Sequence, residues 1–215
     1  MRRFLAVVSL LLVSAFPVAS YGFAGIAGER VGAVASVDTW VVDSPHTEIN
    51  FSVKHFFTPV TGTFDDFDLT LNYDADHPEN SSVEARIAVA SVNTGNEQRD
   101  DHLRTPDFFA ADEHPYITFR STSVSRAADG TLVARGPLSI RGTTREVELP
   151  IRLLGVQPIP PEMRGMLGGA QEIASFKAST SLNRADFGVG TGSWAATLVV
   201  GGEVQIDILV EAHRK

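Results

Sequence analysis

From Ile49 onward, apolar and polar residues alternate with a period of two. Asn50 and Ser52 separate Ile49, Phe51 and Val53, and Asp68, Thr70 and Asn72 separate Phe67, Leu69, Leu71 and Tyr73. Successive side chains of a strand point to opposite faces, so each run predicts a strand with one apolar face. The pattern recurs at Val83, Ala85, Ile87 and Val89; at Ile117 and Phe119; and at Leu132, Ala134, Gly136, Leu138 and Ile140. It recurs again at Val147, Leu149, Ile151 and Leu153; at Phe176, Ala178, Thr180 and Leu182; and at Val204, Ile206, Ile208 and Val210. Eight strands are predicted. Asp129-Gly130, Arg141-Gly142-Thr143 and Gly201-Gly202 are hairpin-type breaks, whereas 74–80 and 157–171 are longer polar or Pro/Gly-rich loops.

One segment departs from the alternation. Glu97 to Leu103 is helix-tolerant, and Pro106 opens a second turn, which predicts a helix of about two turns over 96–104 inside a helical insertion at 96–109. With no long helices to cover a sheet, the chain is all-β, a sandwich or a barrel. Eight sequential strands with mostly short connections close simply as an up-and-down antiparallel barrel, and a barrel of that size holds side chains or one small ligand. Its inward row mixes Phe51, Phe119 and Phe176 with Ala85, Ala134, Gly136 and Ala178. The small residues leave a slot or fit the barrel's taper, and packing alone does not choose between them.

Composition narrows the setting. Met1-Arg2-Arg3 followed by the apolar run from Phe4 to Ala19 reads as a secretory signal, with 1–27 as the leader and 38–213 as the barrel domain. The run is too short for a membrane anchor, so no integral membrane segment is expected after its removal. Losing Arg2 and Arg3 moves the formal charge from −8 to −10, which argues against nucleic acid or an anionic membrane surface as partner. The absence of cysteine excludes disulfides, lipid attachment at an N-terminal cysteine and a thiol nucleophile.

Candidate chemistry is sparse. There is no HExxH helix, Asp74-Ala75-Asp76 lacks the rest of a calcium loop, and Gly190-Thr191-Gly192-Ser193-Trp194 is not a nucleophile elbow. No metal, no cofactor and no catalytic residue is expected. Of the six histidines, His55 continues the phase of Ile49, Phe51 and Val53, which aims it at the apolar face as a core histidine or as a contact for a ligand head group. Arg99, Asp100 and His102 form a charged helix face, and Arg184 and Asp186 are expected to pair within the turn 183–188.

The residues also carry a resemblance. Trp40-Val41-Val42-Asp43-Ser44-Pro45-His46 through His55, Arg99-Asp100-Asp101-His102-Leu103 through Phe109, Pro115 through Ser121, Gly136 through Thr144, and Asn183 through Gly188 resemble, in order, the blocks of the YceI-like family. The resemblance implies a lipocalin-like barrel, exported to the bacterial periplasm, that binds a long isoprenoid or similar amphiphile and forms a homodimer. Under it, His46, His55, Arg99, Asp100 and His102 are candidates for the head group, and Ile49, Phe51, Val53, Phe119, Leu138 and Phe176 for the apolar lining. Two other functions fit the same residues: an enzyme pairing a histidine with a carboxylate such as Asp100, and a solid-core structural barrel. The loop 155–172 has no role assigned.

Overall fold

A computed structural model describes residues 39–215. The expected leader, 1–27, lies outside the described residues.

The strands are β1 (Thr39–Val42), β2 (Glu48–His55), β3 (Thr58–Phe64), β4 (Phe67–Asn72), β5 (Ser82–Ala88) and β6 (Val92–Asn93). They continue as β7 (Tyr116–Arg120), β8 (Ser123–Arg126), β9 (Leu132–Ile140), β10 (Thr143–Pro158), β11 (Glu172–Asn183) and β12 (Val200–Arg214). The α-helices are α1 (Glu97–Arg104) and α2 (Pro161–Arg164), and short 3-10 turns include Arg184–Phe187. All twelve strands belong to one antiparallel sheet.

The sheet closes into an eight-strand barrel. From β4 the order runs β5, β7, β9, β10, β11, β12, each hydrogen-bonded to the next. β1 lies between β12 and β4 through the pairs Val42↔Ala212 and Trp40↔Leu71 and completes the ring. β1 and β2 are two halves of one stave, interrupted at Asp43–Thr47. There Thr47 Oγ1 donates to the Asp43 carbonyl (2.8 Å) and accepts from the Glu211 amide, stitching the break to β12.

Four strands appear that the alternation does not announce. β1 carries only four residues, and β6 only two. β3 carries Pro59 and Gly62, both poor strand formers, yet pairs with β2 along its length. β8 continues the stave of β7 after a bulge: between Phe119↔Leu138 and Ser123↔Arg135, four steps on one side oppose three on β9. Gly136 makes this possible, because a Cβ there would stand 2.0 Å from the Arg120 carbonyl oxygen.

The turn chemistry is realised at Arg141-Gly142, where both residues have positive φ and join β9 to β10 as a two-residue hairpin. Gly201-Gly202 corrects the expectation of a break: the pair lies inside β12, at the irregularity between His55↔Val200 and Val53↔Val204. A second glycine-rich break was unnecessary because the loop 184–199 already reverses the chain. Asn96 caps α1 by accepting from the Arg99 amide (3.0 Å), so the helix begins where predicted. No helix among the described residues is long and apolar enough to cross a membrane.

Candidate functional site

The inward faces of the strands do not fill the barrel. Two buried clusters plug its ends. At one end Trp40, Tyr73 and Phe176 stack over the fully buried Ala134, Ala174 and Ala212, with the indole N–H of Trp40 donating to the Tyr73 carbonyl (3.2 Å). At the other end Phe108, Phe187 and Val189 come from irregular segments and pack on Ile87, Ile117 and Ile140. Between them lies an almost wholly apolar cavity of about 250 Å³.

Its wall is built by the predicted alternation. Ile49, Phe51, Val53, Phe119, Leu138 and Phe176 all line it, joined by Leu69, Leu71, Val83, Ala85, Leu149, Ala178, Ile206 and Ile208. Leu69, Leu71, Val83, Leu138, Leu149 and Ile206 are only half-buried although they point inward, because part of each side chain borders this space. The small inward residues have three fates. Ala85 and Ala178 border the cavity, Ala134 packs in the aromatic plug, and Gly136 yields to the β7–β8 bulge.

Leu103, Phe108, Phe109, Phe187 and Val189, from α1 and the loops, also reach the cavity and were not anticipated. The signal was present in the apolar residues of segments without periodicity. These loops form a cap over one mouth. The Thr191 amide donates to the Asp107 carbonyl (2.8 Å), and Arg141 donates to the carbonyls of Gly188 and Pro106 at 2.6 and 2.7 Å.

Arg184 anchors the cap from within and belongs to the cavity wall. All five of its N–H groups donate to backbone carbonyls: Nε to Gly201, Nη1 to Val189 and Gly190, Nη2 to Trp194 and Val200. The expected pair with Asp186 does not form; the Asp186 carbonyl instead accepts from Arg145 (3.3 Å). Turn spacing suggested an ion pair, but the ring of convergent carbonyls comes from residues up to 17 positions away. Burial lowers the Arg184 pKa from its ordinary value.

None of the five head-group candidates lines the cavity. Arg99 and Asp100 converge on Thr94: Arg99 donates to its hydroxyl and carbonyl at 2.7 and 2.8 Å, and the buried Asp100 carboxylate accepts its amide (2.9 Å) and hydroxyl. They fasten β6 to α1. His102 packs edge-on against Phe108 and Trp194, with ring centroids 5.0 Å away in each case, and its Nε2 lies 3.3 Å from the Asp107 carboxylate. This histidine–carboxylate pair sits in the cap and off the cavity wall. His55 keeps its phase but stands exposed at the end of β2, beyond Val53, the last residue of this strand on the cavity wall. His46 lies on the Asp43–Thr47 break, 3.0 Å from Asp43 and 4.0 Å from Glu211, and the Asp43 hydrogen bond raises its pKa. These three side chains could place one nitrogen and two carboxylate oxygens on an ion, at an exposed position.

Comparison with known proteins agrees with this architecture. The YceI-like domain family matches residues 40–212. Protein YceI of Shigella flexneri is 33% identical over 186 residues, spanning 86% of this chain and 89% of its own. The crystal structure of Burkholderia cenocepacia BcnA superposes with a TM-score of 0.71 at 26% identity, covering 80% of this chain and 99% of that one. A polyisoprenoid binding domain from Saccharophagus degradans shares the fold at a TM-score of 0.59 and 14% identity, over 83% of this chain and 99% of its own. With its eight-strand barrel, its ordered sequence blocks and a family match over nearly all the described residues, the chain belongs to the YceI-like family.

Proposed function

We propose that the protein is a periplasmic binding or carrier protein that holds the hydrocarbon of an isoprenoid or similar long amphiphile inside the barrel. The observation that carries this reading is the unfilled apolar cavity, whose inward leucines and valines stay half-exposed between two plugged ends. Family membership supports it, and the barrel of the Saccharophagus degradans domain, described as polyisoprenoid binding, has the same fold. The basic, then apolar residues of the 1–27 leader support export.

The energetics suit such a ligand. At about 0.8 kcal/mol per buried CH₂, each five-carbon isoprene unit contributes roughly 3–4 kcal/mol before ordering costs, so a few units exceed the association penalty. A cavity of roughly 150 Å³ is known to accommodate benzene, so on that scale the 250 Å³ here holds about ten carbons without rearrangement. A longer chain requires the loop-built cap to yield. A binding role also fits the wall chemistry better than catalysis does: Glu148 is paired with Arg135 (2.8 Å), the Arg184 donors are all occupied, and the described wall carries no histidine.

The test is organic extraction of the protein purified from its exported fraction, followed by mass spectrometry, beside an Ala85→Phe variant. Ala85 lies between Leu69 and Phe119 on the cavity wall, so a phenylalanine there occupies the ligand's space. The extract of the parent protein is expected to contain an isoprenoid or similar chain, and the variant to retain at least tenfold less with its cooperative unfolding intact. No extractable lipid and no uptake of added polyisoprenoid by the parent would sink the reading.

A further inference from the structure

The hairpin joining β2 to β3 ends in an unusual turn. His55 pairs with Thr58, leaving Phe56-Phe57 as the two turn residues, and Phe56 has φ 52°. Positive φ at this position is normally supplied by Gly, Asn or Asp, and a bulky side chain there is strained. The strain places two phenylalanines in solvent: Phe57 is 94% exposed and Phe56 about half. Beside them is Leu198, 79% exposed, on a loop tied to the hairpin by the Phe56 amide donating to the Val199 carbonyl (2.8 Å).

The charge pattern around this tip is equally distinct. In a chain with 26 acidic residues, 49–64 and 187–202 contain none, and Lys54 is the only lysine or arginine in either segment. The first acidic residue along β12 is the exposed Glu203, next to Val204, which pairs with Val53. The tip also adjoins the cavity: Val53 and Val200 line it, and Val200 is paired with His55. A second exposed apolar patch, with Met166 85% exposed, lies on the loop between β10 and β11. That loop carries Glu162 and Arg164 and stands at the end sealed by Trp40 and Tyr73.

We propose that the β2–β3 tip and Leu198 insert into the surface of a lipid bilayer, setting the capped mouth of the barrel against the membrane so that an apolar chain passes between bilayer and cavity. Exposed aromatic and aliphatic side chains on segments that carry no carboxylate suit an interfacial anchor, and an acidic protein is otherwise repelled by an anionic surface. The proposal rests on the lipid-carrier reading for its purpose, and its test separates the two.

Phosphatidylcholine vesicles are mixed with protein from the exported fraction and sedimented, comparing the parent with Phe57→Ser/Leu198→Ser and with Met166→Ser, all with the same N-terminus. The parent is expected to sediment with the vesicles equally well at low and high salt. The double variant should lose at least tenfold in partitioning with an unchanged melting temperature, since both side chains are exposed, and Met166→Ser should behave as the parent. Absence of parent binding overturns the proposal, as does loss of binding with Met166→Ser alone. A parent that dimerises through the tip, becomes monomeric in the double variant and ignores vesicles also overturns it. Extraction of the same preparations reads the cargo independently: lipid retained without vesicle binding defeats docking alone, and vesicle binding without any retained or acquired lipid defeats the carrier reading alone.

Discussion

Arg184 is a buried arginine with no carboxylate among its hydrogen-bond partners, and its charge is answered by five backbone carbonyls instead. Such a group is costly to remove, because its partners are left buried and unpaired. Arg184→Met is therefore expected to destabilise the fold by about 3–5 kcal/mol, and Arg184→Lys by somewhat less, since an ammonium has three donors for five acceptors. Denaturant unfolding measures both; a loss under about 1 kcal/mol for the methionine variant would contradict the anchoring role. At this scale the sequence showed which residues were polar but not what they met. His55 has the phase of a core residue and the position of a hairpin tip, and Arg99 and Asp100, grouped by sequence with His102, are occupied with Thr94.

Among the elements, the staves that alternate cleanly were legible, and the broken ones were not. β7 and β8 form one stave with a bulge, and the sequence around Arg120, Ser121 and Thr122 carries no apolar rhythm because the extra residue resets the phase. The corresponding trace is on the neighbouring strand, at Gly136. Gly136→Ala would drive a Cβ against the Arg120 carbonyl and is expected to destabilise the protein by about 1–3 kcal/mol or prevent folding, whereas overpacking of this kind should be absent for an alanine at Gly155, which has open space. Thermal melts of the two variants make the comparison, and equal melting temperatures would refute the steric argument. β3 was hidden for a different reason: Pro59 and Gly62 lower its propensity, while pairing with β2 and the close approach of Phe51 over Gly62 override it.

At the scale of the whole molecule, the cavity links stability to ligand. A ligand bound only by the folded state stabilises it by about 2.7 kcal/mol at a hundredfold excess over Kd, which for a chain of this size is roughly 5–10 °C in Tm. Protein stripped of lipid is expected to melt that much below the loaded form, and the difference should vanish in Ala85→Phe. Identical Tm values for stripped and loaded parent would place the lipid outside the barrel.

The antiparallel all-β character and the inward face of each strand were determined by sequence alone, because a period of two assigns each side chain to a face. Alternation suits a sandwich as well as a barrel, and closure is seen in the pairing of β1 with both β12 and β4. The emptiness of the barrel's centre was likewise decided by tertiary structure. Ala85, Ala134 and Ala178 read alike along the chain, yet Ala134 is fully buried in the aromatic plug of Trp40, Tyr73 and Phe176 while the other two border the cavity. Alternation fixes direction but not the distance to the opposite wall, and that distance is set by residues brought together from strands far apart in sequence.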